Sequence, residues 1–375
     1  MSRIVLIGSL AESLVNFRGD LICHLLATGH EVVAMSPPGP AWVDTQLASW
    51  GARRVTIGLD RTGASILSDL RLMRELIRLF KSLQPDVTLA YTIKPVVYSA
   101  FAAKIAGVPR ITAMITGLGF AFAPPTNFRQ GLVRSFARVL YRAAMRCIDT
   151  VFFQNPDDEA DFRRGGLIRC AQRVVRIRGS GVNLLRFAAQ PLPPGPFRFL
   201  MIARLLVDKG VREYIAASAR LRQSHPTARC HLVGPFDSNP SAVSRAEIDA
   251  AVVRGDLVFH GSTDDVRPYL ADCHVYVLPS YREGMPRSVL EAMAVGRAVI
   301  TTDAPGCRET VTEGDNGLLV PVRDIEALSD AMAKLVAAGP EEIQRMGESS
   351  RRRVAAEYDV AVVNDQISNA LAAHV

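Results

Sequence analysis

A chain of 375 residues is too long for one ordinary hydrophobic core and fits two domains. A hydrophobic content of 49% against 22% charged residues excludes a disordered or fibrous protein. The net charge of +7 is uneven, with 24 Lys and Arg against 13 Asp and Glu in residues 1–190 and 20 against 24 in residues 191–375, so the first half is expected to meet something anionic and the second has no need to.

The opening run Arg3-Ile4-Val5-Leu6-Ile7-Gly8 lacks the apolar length and cleavage site of a signal peptide and reads as a first strand. Gly8 closes it, Ser9–Asn16 is expected as a loop, and a helix covers Phe17–Ala27. Strands follow at Glu31–Ser36, Arg54–Gly58, Val87–Tyr91, Ile111–Ile115, Val151–Gln154 and Val174–Ile177. Between them lie helical patterns at Ser68–Leu83, Val96–Ala106 and Gly131–Cys147. The charge-free stretch Ile111–Phe128 is broken by glycines and Pro124-Pro125, so it is no membrane span, which takes about 20 mainly apolar residues.

Four prolines in Pro191–Pro196 cannot continue a helix or a central strand and are read as the interdomain linker. The alternation then restarts, with strands at Phe199–Ile202, His231–Val233, Val258–His260, Val275–Pro279, Val299–Thr302 and Leu318–Val320. Helices are expected at Val211–Leu221, Ala242–Val253, Arg287–Val295 and Ala327–Ala338. The pattern is α/β: two tandem Rossmann-like domains, 1–190 and 191–375, with an interdomain cleft at the carboxyl ends of both sheets. The last helix is free to pack back on the first domain. Six cysteines without a C-x-x-C pair suggest neither zinc nor a disulfide framework, which makes a reducing cytoplasm the default.

Arg204 and Lys209 stand in the loop after the first strand of the second domain, just before a helix that opens near Gly210. Two cations at the positive end of a helix suit a diphosphate, although two solvated loop charges give the same spacing. Glu283 and Glu291 bracket Gly284, Met285, Pro286 and Arg287. Pro286 suits the first helical position, where its missing N–H is not needed. Glu283 then lies in the loop and Glu291 on the second turn, beside a buried face of Val289, Leu290, Met293 and Ala294. Such carboxylates could grip two hydroxyl-bearing parts of one ligand or simply be exposed.

Thr116-Gly117-Leu118-Gly119 follows the fifth strand, where Gly117 and Gly119 permit close backbone approach to a ligand or make a turn. No G-x-G-x-x-G follows the first strand, which argues against a dinucleotide-dependent dehydrogenase. Arg129, Arg134, Arg138, Arg142 and Arg146 precede the first acid, Asp149, and the last four recur at every fourth residue. That stripe suits anionic lipid headgroups, or is the solvated face of a core helix. Arg71, Arg74, Arg78 and Lys81 add basic surface. No binding motif or aromatic stacking series points to nucleic acid.

Pro279-Ser280, Glu283-x7-Glu291, Glu291-Ala292-Met293-Ala294, Gly296, Val299–Asp303, Pro305–Glu309 and Asn316–Val320 together resemble the family-4 nucleotide-sugar glycosyltransferases of GT-B fold. In the first domain, Asn16–Gly19, Tyr91–Pro95, Ile115–Gly119 and Phe153–Asp157 resemble bacterial members that extend polyprenyl-diphosphate-linked sugars. The resemblance implies a retaining, metal-independent transfer from a UDP-sugar, expected to be an N-acetylhexosamine, in bacterial polysaccharide biosynthesis. The enzyme would be cytoplasmic and peripheral at the inner face of the cell membrane. Arg204 and Lys209 would neutralise the donor diphosphate, and Glu291 would hold the ribose. Glu283, with the backbone around Gly284, Met285 and Arg287, would hold the donor sugar.

Gly8, Thr116, Gly117 and Gly119 would also flank the donor, while Arg18 and Lys94 would meet the acceptor's phosphates. No metal and no cofactor are expected, and no D-x-D occurs. The family's histidine after the fifth strand is missing, with Thr116-Gly117 in its place. Two other readings remain: a sugar-nucleotide epimerase on the same plan, which needs no acceptor, and a catalytically idle basic membrane adaptor.

Overall fold

The computed structural model describes residues 1–60, 66–117, 138–170 and 172–372. It divides into two units, Met1–Ser180 with Val360–Val375, and Gly181–Asp359. The first unit runs β1 (Arg3–Ile7), α1 (Ala11–Asn16), α2 (Gly19–Ala27), β2 (Glu31–Ser36), α3 (Ala41–Trp50), β3 (Arg53–Thr56) and α4 (Ile66–Leu83). It continues through β4 (Val87–Tyr91), α5 (Ile93–Ala106), β5 (Arg110–Ile115), α6 over residues 138–145, β6 (Thr150–Phe153), α7 (Pro156–Arg164) and β7 (Arg173–Arg176).

Its seven strands are ordered β3-β2-β1-β4-β5-β6-β7 and pair in parallel. A parallel sheet needs cover on both faces, which is why β4 is buried throughout and β1 over Ile4–Ile7. One face packs on Leu72, Leu76 and Phe80 of α4, with Ala100, Tyr141, Met145 and Phe162. Leu14, Leu21, Ile22, Leu25 and Leu47 cover the other. α7 shows how sequence sets a boundary: Asn155 Oδ1 accepts the Asp158 N–H at 2.8 Å, Pro156 follows, acids fill the first turn and Arg163 and Arg164 the last.

The second unit runs β8 (Arg198–Ile202), a 3-10 turn at Val207–Lys209, α8 (Val211–Ser224), β9 (Arg229–Val233), α9 (Arg245–Val253), β10 (Val258–Phe259) and α10 (Arg267–Ala271). Then come β11 (Val275–Leu278), α11 (Arg287–Val295), β12 (Ala298–Thr302), β13 (Gly317–Val320) and α12 (Ile325–Glu357). Gly339 (φ 80, ψ 172) and Pro340 break α12 in two. The order β10-β9-β8-β11-β12-β13 is again parallel.

The division falls at Ser180 and Gly181, ten residues before the boundary expected at 190 and 191. Residues 181–190 are bonded into the second unit: the Val182 N–H donates to Tyr358 O at 2.9 Å, the Gln190 N–H to Val295 O at 3.0 Å, and Arg351 Nη1 to Phe187 O at 2.9 Å. The proline run is held there too, by Arg297 on Pro191 O and Arg198 on Pro194 O. The prolines therefore make an extended strap within the second unit. Beyond it, α13 (Val360–Ala372) joins the first unit, with Val363 and Ile367 in one core with Leu21 and Leu25. Arg110 and Arg173 reach its last carbonyls.

The strands expected from sequence all appear, with ends shifted by one or two residues. Helices were less legible. Ser9–Asn16, expected as a loop, contains α1; α3, α7 and α10 had no reading, and the last helix was expected without bounds. α1 is only six residues long, too short to display a period.

Candidate active site

In open parallel sheets, loops diverge where the strand order reverses and leave a crevice at the carboxyl ends. In the second unit that point lies between β8 and β11, and the loops that follow these two strands carry the candidate residues. After β8 the chain makes the 3-10 turn with Lys209 and bends at Gly210, whose φ is 75°. A Cβ there would lie 2.1 Å from Pro279 O, so the close approach of the two loops demands glycine. Asp208 O accepts the Tyr281 N–H at 2.9 Å and the Ser280 hydroxyl at 3.1 Å, which ties the loops together.

Lys209 Nζ donates to Glu283 Oε1 at 2.5 Å, and Ser280 Oγ reaches the same oxygen at 2.8 Å. The Lys209 and Glu283 side chains are only 17% and 14% exposed, so the pair is held rather than solvated. The Glu283 N–H donates to Pro305 O at 2.9 Å. Gly306, at φ 81°, lies so close that a Cβ would sit 2.3 Å from Glu283 O.

Pro286 is the N-cap of α11 (φ −74, ψ 102) rather than its first helical residue, because its backbone is still extended. The first helical residue is Arg287, the Val289 N–H donates to Pro286 O at 3.1 Å, and no acidic side chain stands in the first turn of α11. Glu291 does not flank the buried face but belongs to it, at 8% exposure. Arg287 Nε donates to Glu291 Oε1 at 2.8 Å. Burial pushes the Glu291 carboxyl above the usual range, and the Arg287 guanidinium pulls it back. Met285 and Gly284 line the loop between the two glutamates, both buried.

Arg204 is half-exposed, and its Nη1 donates to Asp237 Oδ2 at 3.0 Å. Asp237 is fixed in turn, since its Oδ1 accepts the Asn239 N–H at 2.9 Å. The Val207 N–H donates to Ser241 O at 2.9 Å and the Val243 N–H to Leu205 O at 2.8 Å, so this loop backs the one bearing Arg204. Sequence reasoning missed Asp237 and the role of Ser280. The D-x-N turn at Asp237–Asn239 was the available signal.

At the first sheet the reversal lies between β1 and β4. Gly8 ends β1, and a Cβ on it would meet the Tyr91 hydroxyl at 2.3 Å. Arg18, expected at the acceptor's phosphates, is 3% exposed, stacks over the Tyr91 ring at 4.9 Å and donates to Ser180 Oγ at 2.9 Å. Its place is therefore inside the unit, bracing the β1–β4 corner. Thr92, before α5, holds φ 67° and ψ 156°, a conformation β-branched residues rarely adopt. Its buried hydroxyl has no partner. Lys94, on the first turn of α5, donates to Asp60 O at 2.8 Å and lies 3.5 Å from Asp69 Oδ1. Thr116 and Gly117 (φ 132°) are half-buried past the end of β5.

Gly119, Arg129 and Arg134 lie outside the described residues. Arg142 of the basic stripe donates to Gly165 O at 2.6 Å, at the end of α7, and Arg138 lies beside the same residue.

Two family models match in tandem: glycosyl transferase 4-like domain over residues 16–178 and glycosyl transferases group 1 over residues 185–353. The chain belongs to the family-4 glycosyltransferases of GT-B fold. A Campylobacter jejuni relative is 27% identical over 347 residues, 89% of each chain, and is named N,N'-diacetylbacillosaminyl-diphospho-undecaprenol alpha-1,3-N-acetylgalactosaminyltransferase. An Escherichia coli relative, UDP-Gal:alpha-D-GlcNAc-diphosphoundecaprenol alpha-1,3-galactosyltransferase, is 22% identical and covers 81% of this chain and 80% of its own.

The fold is shared with sucrose-phosphate synthase from Thermosynechococcus elongatus (TM-score 0.79, 20% identity, 99% of this chain and 98% of that one). It is also shared with Anabaena Alr3699/HepE solved with UDP (TM-score 0.78, 18% identity, 99% of each).

Several residues that carry the family pattern in this glycosyltransferase serve packing. Asn316 is fully buried, accepts the Thr312 N–H at 2.7 Å and donates to Thr310 O at 3.1 Å. Gly296 meets Gly347 of α12, where a Cβ would come within 2.1 Å of Gly296 O. Among the described residues no helix is long and apolar enough to cross a membrane, and no three His, Cys, Asp or Glu side chains are placed to hold a metal ion.

Proposed function

We propose that this glycosyltransferase moves an N-acetylhexosamine from a UDP-sugar to a polyprenyl-diphosphate-linked sugar, with retention and without a metal, at the cytoplasmic face of the membrane. The observation that carries the reading is the gathering of Arg204, Lys209, Glu283 and Glu291 at the strand-order reversal of the second sheet. The names of the two bacterial relatives support a lipid-diphosphate acceptor, and that of the Campylobacter relative an N-acetylhexosamine.

In this reading the second unit binds the donor and the first the acceptor. Arg204 and Lys209 neutralise the diphosphate and the charge that grows on it as the sugar leaves. Lys209 is pre-aimed by Glu283 and Ser280, so little reorganisation is needed when the bond to the sugar breaks. Glu283, with the backbone of Gly284, Met285 and Arg287, holds the donor sugar. Glu291 takes the ribose hydroxyls, and its bond to Arg287 holds the buried carboxyl in place. The acceptor oxygen attacks the anomeric carbon on the face the diphosphate leaves, and the acceptor's proton passes to the departing phosphate oxygen. Basic side chains of the first unit, Arg138, Arg142 and Lys94 among them, face anionic headgroups or the acceptor's phosphates.

The deciding experiment incubates the protein with radiolabelled nucleotide sugars and lipid-diphosphate-linked sugars, with and without EDTA. Label from UDP-N-acetylhexosamine should enter the lipid fraction with its anomeric configuration kept and with no loss to the chelator. A new sugar nucleotide formed without acceptor would make the protein an epimerase. Donor bound but never transferred would leave only the adaptor.

A further inference from the structure

Helix α4 has two faces of different character. Leu72, Leu76, Phe80 and Leu83 are at most 5% exposed and pack on the first sheet. On the other side, at three- and four-residue steps, stand Leu67, Leu70, Arg71, Arg74, Arg78 and Lys81, all exposed. Of the two acids of the helix, Asp69 lies away from this stripe, while Glu75 stands at its margin between Arg71 and Arg78. Asp69 accepts the Tyr98 hydroxyl at 2.6 Å and faces Lys94, and Glu75 accepts the Gly58 N–H at 2.9 Å. Against its four cations the exposed stripe therefore has only the Glu75 carboxylate at its margin, and the stripe stays net cationic.

Solvation alone would explain the cations but not the two leucines at the tip of the same stripe, 69% and 50% exposed. We propose that α4 docks the first unit on an anionic lipid surface, Leu67 and Leu70 entering the boundary between headgroups and acyl chains and Arg71, Arg74 and Arg78 meeting lipid phosphates. Apolar side chains leading a basic stripe are what a headgroup layer accommodates. A nucleic acid would instead call for aromatic or base-reading side chains, and the stripe has none.

The placement also suits the chemistry. α4 follows β3, so its leucine-bearing amino end lies at the carboxyl edge of the first sheet. Asp69 joins that end to Lys94 on the first turn of α5. A lipid-linked acceptor would keep its chain in the bilayer while its diphosphate sits at headgroup height beside this edge. That last point rests on the proposed acceptor. The docking itself does not.

Co-sedimentation with vesicles tests the docking, using phosphatidylcholine alone and phosphatidylcholine mixed with phosphatidylglycerol. The full chain should bind the mixed vesicles and release as salt rises, because exposed charges are screened over about 8 Å at physiological ionic strength. Arg71→Gln with Arg74→Gln and Arg78→Gln should weaken that binding at least about tenfold. Leu67→Gln with Leu70→Gln should lower it several-fold and remove the part that survives high salt. Circular dichroism should show both variants folded, since every substituted side chain is exposed.

Variants that sediment like the parent overturn the proposal, as does a parent that ignores anionic vesicles or is retained only by single-stranded DNA. Transfer to a water-soluble short-chain acceptor separates the two readings. Unchanged transfer alongside lost sedimentation supports docking, whereas absent transfer in the parent sinks the enzymatic assignment and leaves the vesicle result standing.

Discussion

At the carboxyl edge of the second sheet the candidate cations are each matched to a carboxylate, Arg204 to Asp237, Lys209 to Glu283 and Arg287 to Glu291. Among the described residues, the first sheet's edge brings together Gly8, Tyr91, Thr92, Thr116 and Gly117, with close backbone approach and one strained residue, while its cations are Arg18, buried over Tyr91, and Lys94 beside Asp69. Both edges occupy the same place in the same kind of sheet. On the proposed reading, the second sheet's edge meets a ligand whose charge changes during the reaction, and the first sheet's edge a ligand held largely by shape.

The hardest way to break this contrast is Lys209→Ala. If the charged edge does the chemistry, turnover should fall about 10²- to 10³-fold, and the thermal midpoint should drop as well, because Glu283 is left unpaired at 14% exposure. Near-normal kcat would remove Lys209 from the reaction. A paired substitution sharpens the comparison further. Gly306→Ala should destabilise by about 1–3 kcal/mol and raise the donor KM, because its Cβ would push on the Glu283 and Gly284 carbonyls. Gly8→Ala should cost a similar amount by displacing Tyr91, yet leave UDP affinity measured by calorimetry unchanged. Equal losses of UDP affinity in both would dissolve the division of labour.

A pH effect should belong to the second unit. His274 is 6% exposed and accepts the Arg198 N–H, and burial, with Arg198 and Arg297 nearby, pulls its pKa down to about 4. The unfolded chain takes the proton first, so this contribution is complete above pH ~6.5 and is lost as pH falls toward 4. Allowing for solvent screening, about 1–2 kcal/mol of stability should disappear over that window, and His274→Gln should flatten the curve. The smallest expected effect is at Asp237. With its carboxylate neutralised in Asp237→Asn, Arg204 loses a competitor, and UDP should bind about two- to fivefold tighter. Weaker binding would show that Asp237 positions Arg204 instead.

The two edges were unequally legible. Glu283, Glu291, Arg204 and Lys209 could be named because a glycine–proline loop before a helix and two cations after a strand are local patterns. The partner Asp237 could not, because it lies 33 residues from Arg204 and no spacing rule links them, and Ser280 was visible only as part of a pattern, without its bond to Glu283. Arg18 misled for a related reason: sequence shows a cation near the first strand, while only the fold shows it buried on Tyr91 and Ser180. The proline run misled as well, since proline forbids helix but does not say which unit the strap is bonded to.

The sequence by itself determined the alternation of buried strands and amphipathic helices, and hence the parallel sheets, because side-chain period and burial are local properties of the chain. Tertiary structure alone decided the unit boundary at Ser180, the packing of α13 against Leu21 and Leu25 that the sequence had left only as an option, the burial of Glu291 and the pairing of each candidate cation. These depend on contacts between segments far apart in sequence, whose energies no single window of residues contains.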